Sequence, residues 1–333
     1  MMPSSPLKRV LILHTGGTLG MVGGQAGTLS PGGGALDALA RHIPELFEIT
    51  DLRLEILARQ DSCEVRAEQW LTWAARIRSE TWADGIVLIH GTDSMAYTAS
   101  ALSFLLPERR LPIILTGSQR PLSAIRNDAR QNLVDALILA GGPLREVVVC
   151  FDSLGLRGNR TLKRSSHAMG AFESPNCRPL ATLGVEVRYA EHGLRSGGAA
   201  EPLAMSERVK LSWVVPELPA PEPWAVEGPA VHVVAALGCG NFPLHTGWQT
   251  LVQQETKRGI SHLVISQCPH GTVLPGLYAA SRPLFEVGAL SGGDMTYPAA
   301  LAKARVGLGR GLSGSALNAY LEGNQAGECE GVS

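Results

Sequence analysis

Apolar residues in the first half of the chain fall in short unbroken runs, separated by stretches whose apolar positions recur every three or four residues. "KRVLILH" is followed by a glycine-rich loop and "GALDALARHIP", "LRLEILA" by "AEQWLTWAARIRSET", and "GIVLIH" by "SMAYTASALSFLLP". "LPIILTG" then precedes "ARQNLVDALILAGG", and "EVVVCFD" precedes an irregular basic stretch. Short apolar runs alternating with amphipathic helices are the pattern of a parallel sheet with right-handed crossovers. The expected fold class is α/β, with an open, mostly parallel sheet forming an N-terminal domain over residues 1–205.

The pattern then breaks. Proline and glycine cluster in "EHGLRSGGAAEP" and "VVPELPAPEPWAVEGP", which predicts a linker at 206–229. A smaller α/β domain is expected over 230–333. Within it, "AVHVVAALG" and "SHLVISQ" read as strands, and "TGWQTLVQQETKRG", "GLYAASRPLFEVGAL" and "TYPAALAKARVGLGRG" as helices. No internal repeat is visible, and the polar tail after Gly323 is the one low-complexity segment. The length of 333 residues fits two domains.

Composition narrows the function classes. A net charge of −1 and a pI near 6.8 give no general attraction for nucleic acid or an anionic membrane. Near the N-terminus the apolar run spans only Val10–Leu13, too short for a secretion signal or a membrane span. Cys63, Cys150, Cys177, Cys239, Cys268 and Cys329 are scattered without a C-x-x-C pair, as reduced thiols of a cytoplasmic protein would be. The nine histidines show no H-x-x-x-H or H-E-x-x-H spacing, so no metal site is expected.

Ligands of an open parallel sheet sit at the carboxyl ends of its strands. The residues leaving each strand here are Thr15, Gly16, Gly17 and Thr18; Asp61 and Ser62; Gly91, Thr92 and Asp93; Thr116, Gly117, Ser118 and Gln119. After the fifth strand, "GLRGNRTLKRSS" holds Lys163, one of only five lysines in the chain. A lysine kept among arginines suits a role as an amine, because arginine does not lose its proton; a solvated surface lysine is the plainer explanation. "TGGT" lacks the spacing of the common phosphate loops, and singly it reads as a tight structural turn. Thr92 and Asp93, at a helix start, singly read as caps. Together, at the ends of separate strands, "TGGT" and "HGTD" favour a hydroxyl nucleophile.

"LHTGGTLGM", "GIVLIHGTDSMAYTASALSFLL", "PIILTGSQRPL", "RNDARQNLVDAL", "RGNRTLK", "FESPN", "GCGNFP" and "GGDMTYPAALAK" together resemble the bacterial-type L-asparaginase/glutaminase family, and most its cytosolic type I branch. The resemblance runs over residues 8–322 in the family's order. It implies cofactor-free hydrolysis of the side-chain amide of L-asparagine, sometimes glutamine, through two threonines. Thr15 matches the nucleophile, and Thr92, Asp93 and Lys163 match the second cluster. A threonine hydroxyl needs a positioned base, and a lysine beside an aspartate can move a proton through Thr92. The Thr92 backbone amide suits a developing oxyanion. Ser62, beside Asp61, matches the serine that holds the substrate's α-carboxylate, and Asp93 the group that receives its α-ammonium. By the same resemblance Gly16, Asp61 and Gly91 are expected to bind substrate, and the main chain of Ser118 matches the group facing the leaving amide. Asn241 matches a contribution from a neighbouring subunit, which implies a homodimer or homotetramer with shared sites.

Two positions depart from the family pattern. The loop after "TGGT" resembles a glycine-hinged lid that delivers a tyrosine hydroxyl to the nucleophile, and that position here is Thr28. Threonine is shorter and far less acidic than tyrosine. At the substrate-binding turn, "DSCEV" stands where "DSSDM" is usual, placing Cys63 and Glu64 there. The leading expectation is a cytoplasmic L-asparaginase. The rivals are an amidohydrolase for glutamine or another small amide, and a catalytically silent amino-acid-binding protein. The glutaminase subunit of a tRNA-dependent amidotransferase fits less well, since no basic RNA-binding surface is evident.

Overall fold

The computed structural model describes residues 7–17, 43–108, 110–193 and 197–330. They fall into two compact units, 1–201 and 202–333. In the first unit, β1 (Lys8–Gly16), β2 (Thr50–Gln60), β3 (Gly85–Ile89), β4 (Ile113–Thr116) and β5 (Val147–Phe151) form a parallel array in the order β2-β1-β3-β4-β5. The basic stretch after β5 is not irregular. It continues the same sheet through the antiparallel strands β6 (Leu154–Arg157), β9 (Ala181–Leu183) and β10 (Val187–Tyr189). Between them β7 (Leu162–Lys163) and β8 (Phe172–Glu173) pair as a small hairpin.

Successive side chains of a strand point to opposite faces, so a run buried throughout must be covered on both sides. On β1, Val10 and Ile12 join a core with Val87, Ile89, Ile114 and Val148 under the helix Ala129–Ala140, through its Leu133, Ala136 and Leu137. Leu11 and Leu13, equally buried, face the other side. A single turn, α1 (Leu46–Ile49), and the longer α2 (Ala67–Arg78), α3 (Met95–Leu105) and α4 (Ala129–Ala140) occur in this unit. The expected helix at "GALDALARHIP" lies mostly outside the described residues.

The second unit is a parallel sheet in the order β11-β12-β13-β14, from β11 (Val209–Trp213), β12 (Ala230–Ala236), β13 (Ile260–Ser266) and β14 (Ala289–Ser291). Its helices are α5 (Trp248–Lys257), α6 (Arg282–Glu286), α7 (Tyr297–Gly309) and α8 (Gly314–Glu322). Val231, Val233 and Leu263 pack on Ala300, Ala304 and Leu317, while Val234 and Val264 pack on Trp248, Leu251 and Val252. Three features differ from expectation. The stretch 206–229, expected as linker, contains β11, whose Val209 and Leu211 pack on the first of these cores. The stretch 276–290, expected as one helix, holds only the short α6 followed by β14, because Pro283 suits the first turn of a helix and not its middle. The tail after Gly323 is folded around Glu328, whose carboxylate accepts the N–H groups of Gln325 and Ala326 and pairs with buried Lys303 at 2.7 Å.

A second buried charge, Glu255 of α5, ties three strands together. Its carboxylate accepts from Lys210 of β11 (2.9 Å), the Trp224 N–H (2.7 Å), His232 of β12 (2.9 Å) and His262 of β13 (2.8 Å). Burial alone would raise the Glu255 pKa, but these donors hold it well below the usual carboxylate range. No described helix is long and apolar enough to cross a membrane.

Burial lowers His14, His90 and His232 from 6.5 to about 4. A histidine depressed in the folded state takes up its proton more readily when unfolded, so its stabilisation is complete above about pH 6.5 and declines toward pH 4. The carboxylate of Glu255 works in the same direction: held low in the fold, it stabilises above the ordinary carboxylate range, and that contribution is lost on acidification. The denaturant midpoint is therefore expected to fall as the pH is taken from about 6.5 to about 4, with His14, His90 and His232 each contributing on the order of 3 kcal/mol of unfolding free energy. Chemical denaturation followed by tryptophan fluorescence across that range measures it, and a flat profile would contradict the buried network.

Candidate active site

The carboxyl ends of β1, β2 and β3 meet without room for side chains at three positions, the first being Gly16, where a Cβ would lie 2.1 Å from the Gln60 carbonyl oxygen. Gly17 has φ +89°, and a Cβ there would lie 2.6 Å from the Gly91 nitrogen. A Cβ on Gly91 would in turn lie 2.6 Å from Ser62 Oγ. Thr15 and Gly16 end β1, where the pairing to β2 shifts register between His14 and Gly16 so that Gly16 stands opposite Gln60. Thr15 is buried, and its Oγ1 donates to the Ile89 carbonyl at 3.0 Å. Its hydroxyl is thus held against the end of β3, one residue before the turn that carries His90, Gly91 and Thr92.

That turn gathers the polar groups. Lys163 Nζ donates to Thr92 Oγ1 at 2.9 Å and pairs with Asp93 Oδ1 at 2.5 Å. Thr92 Oγ1 donates its own proton to Gln119 Oε1 at 2.9 Å. Lys163 reaches this point from the β7–β8 hairpin, where it stands opposite Phe172. Two nearby arginines serve the scaffold: Arg157 is paired with buried Glu146 at 2.6 Å, and buried Arg160 donates to the Asn176 carbonyl. Lys163 brings its amine to the Thr92 turn, with Asp93 beside it largely exposed.

Asp61 caps the short turn Ser62–Glu64 by accepting from the Cys63 N–H at 2.9 Å, and that bond first of all holds its carboxyl below the usual range. Cys63 Sγ lies 3.8 Å from Asp93 Oδ2, and the neighbouring Asp61 pushes the thiol up, away from thiolate formation. Asp61, Cys63 and Asp93 lie close enough together to serve as metal donors, as do His232, Glu255 and His262. In the buried trio the carboxylate already accepts four donors, one of them cationic Lys210. Ser62 is buried, and its carbonyl accepts from Ser94 Oγ at 2.5 Å.

Of the residues expected from sequence, the structure brings Thr92, Asp93 and Lys163 into one hydrogen-bonded cluster, with Ser62 packed against Gly91 and Asp61 capping the Ser62 turn. Ser118 is buried next to Gln119, and its Oγ has no hydrogen-bond partner among the described residues. Asn241 belongs to the second unit, where its Oδ1 is likewise buried without a partner among the described residues. Thr28 lies outside the described residues. Gln119 is a site residue that the motifs do not single out, although it stands at a strand end. It is fixed by its own N–H to Asp128 Oδ2 (2.9 Å) and by Nε2 to the Ala168 carbonyl (3.2 Å).

The chain matches two family models, "Asparaginase, N-terminal" over residues 9–194 and "Glutaminase/Asparaginase C-terminal domain" over residues 224–321. It is 34% identical to L-asparaginase 1 of Escherichia coli, over 96% of this chain and 98% of that protein. It is 33% identical to a human 60 kDa lysophospholipase, over 92% of this chain and 59% of the larger protein. Among solved structures, L-asparaginase I of Vibrio cholerae superposes with a TM-score of 0.86 at 28% identity, covering 98% of this chain and all of that one (100%).

The crowding at the strand ends has a direct consequence. Gly17→Ala is expected to cost about 1–3 kcal/mol, from left-handed backbone strain plus the clash with Gly91. Gly198→Ala, with open space around its Cα, is expected to stay within about 0.5 kcal/mol of the parent. Denaturant midpoints of the two variants check this; equal midpoints would show that the strand ends have slack.

Proposed function

The chain belongs to the asparaginase family, and on that premise we propose that it hydrolyses L-asparagine to L-aspartate and ammonia through Thr15 and the Thr92–Asp93–Lys163 cluster. The observation that carries this reading is the hydrogen-bonded set of Lys163 Nζ, Thr92 Oγ1 and Asp93 Oδ1 at the end of β3, with the Thr15 hydroxyl bonded to the last residue of the same strand.

The steps follow from the chemistry of these groups. Thr15 Oγ1 attacks the side-chain amide carbon, and the carbonyl electron pair moves to oxygen, where the Thr92 N–H receives it. The proton shed by Thr15 enters the Thr92–Lys163 pair, and a proton from the same cluster reaches the amide nitrogen as the C–N bond breaks. Ammonia leaves and a β-aspartyl ester remains on Thr15. Water then attacks the ester carbon and surrenders a proton to the same cluster; as the bond between that carbon and Thr15 Oγ1 breaks, the cluster returns a proton to Oγ1, leaving aspartate and the free Thr15 hydroxyl. Asp93 keeps Lys163 oriented and offers its second oxygen to the substrate's ammonium. Ser62 takes the α-carboxylate, and the Ser118 main chain faces the departing nitrogen.

The partnerless Oδ1 of Asn241 supports a site completed by a second copy of the chain, in a homodimer or a pair of dimers. The free thiols of Cys63 and Cys268, both exposed, suit a reducing cytoplasm. Cys63, close to Asp93, favours one second reading: its thiol alters the α-amino end of the pocket and shifts preference to another small amide.

Purified protein is expected to release ammonia from L-asparagine, with kcat/KM reduced at least about a hundredfold in Thr15→Ala, in Thr92→Ala and in Lys163→Met. Variants that matched the parent would rule out the two-threonine mechanism. A panel of amides assayed alongside separates the readings, since a clear preference for glutamine or another amide would move the substrate assignment.

A further inference from the structure

His90 sits between the end of β3 and the Thr92 turn, and the mechanism above makes no use of it. Its backbone N–H donates to the Thr116 carbonyl of β4 at 2.8 Å, which fixes its place, and its ring is buried. The ring meets Trp73 edge-on, with centroids 5.7 Å apart and planes at 86°. Nδ1 lies 2.7 Å from the Gly91 carbonyl oxygen, and Nε2 lies 2.9 Å from Thr98 Oγ1 of α3. Thr98 Oγ1 is also 2.9 Å from the indole nitrogen of Trp70 on α2.

The donor inventory gives this chain of contacts one direction. An indole N–H only donates, so Thr98 Oγ1 accepts from Trp70. The Gly91 carbonyl facing Nδ1 can only accept, so in a neutral ring Nε2 is the bare nitrogen and the Thr98 hydroxyl donates its proton there. The Nδ1 proton points to that carbonyl. Burial favours the neutral ring, lowering the pKa of His90 to about 4. The tautomer is thereby set by hydrogen bonding, as is usual where one ring nitrogen has a committed partner.

The Gly91 carbonyl belongs to the peptide unit whose N–H is that of Thr92. The described residues contain no cis peptide, so this C=O and N–H point in opposite directions. Fixing one fixes the other, and a hydrogen bond accepted by the carbonyl strengthens the N–H as a donor. Among the described residues the Thr92 N–H has no acceptor of its own. We propose that Trp70, Thr98 and His90 form a directional hydrogen-bond relay that aims and polarises the Thr92 N–H toward the oxyanion of the reaction. The three are positioning residues acting through the Gly91–Thr92 peptide. The inference rests on the amidohydrolase reading above for its chemistry, while its tautomer stands independently.

Two measurements test it. Nitrogen-15 spectra of histidine-labelled protein are expected to show His90 protonated on Nδ1 and bare on Nε2 throughout the neutral pH range. An Nε2–H tautomer or a charged ring would overturn the relay. Thr98→Val, which keeps the shape and removes the hydroxyl, is expected to lower kcat about tenfold with KM within about twofold of the parent. That is a fraction of the roughly hundred- to thousandfold lost with a whole oxyanion donor. Thr98→Ser, which restores the hydroxyl, is expected to recover most of the rate. A Thr98→Val enzyme with unchanged kcat, or a Thr98→Ser enzyme as slow as Thr98→Val, would overturn the proposal. Rates are taken on whichever amide the parent hydrolyses best. Failure of the asparagine assignment then shows in the parent's preference, and failure of the relay shows in the spectra and the Thr98 pair.

Discussion

The site depends on how closely three strand ends can approach. A parallel sheet brings the carboxyl ends of neighbouring strands to one edge, but ordinary side chains would keep the turns beyond them apart. Here the Gly17 and Gly91 backbones are in contact, and Gly91 lies directly over Ser62. That proximity carries the β1 turn, the β2 turn and the β3 turn into one small volume. Thr15 can then hydrogen-bond to the end of β3 while Thr92, one turn further, meets a lysine that arrives from a distant hairpin. The apolar runs that cover both faces of the sheet hold the strands rigid enough for such contacts to persist.

Charge is distributed in keeping with this division between scaffold and site. Glu146 with Arg157, Glu255 with Lys210, and Glu328 with Lys303 are buried or nearly so, and each carboxylate is paired. Removing one member of such a pair would leave an uncompensated buried charge, which is costly, so these pairs constrain the fold. The Lys163–Asp93 pair differs in having its aspartate open to solvent. An amine in that setting can exchange its proton with substrate and water, which an arginine cannot do.

Much of the architecture is legible in the chain because β3, β4, β5 and most of β1 are buried on both faces and so appear as continuous apolar runs. β11 is hidden because it is short, preceded by a glycine-rich segment and followed by a proline-rich one, with polar Lys210 and Ser212 alternating with residues that reach the core. The folded tail is hidden because its order comes from Glu328 and Lys303, a pair that local composition does not reveal. In the site, Thr15, Thr92, Asp93 and Lys163 are signalled by motifs at strand ends. The His90 relay is not, since Trp70 and Thr98 look like ordinary core-facing members of their helices and gain their meaning only from the way those helices pack. The place of Thr28 belongs to residues the structure does not describe.

The central claim is that Thr15 becomes covalently acylated. Protein quenched with acid during turnover of L-asparagine, then digested and mapped by mass spectrometry, tests it most directly. The account predicts a β-aspartyl ester on the peptide containing Thr15, absent from Thr15→Ala. An ester on the Thr92 peptide with none on Thr15 would contradict it.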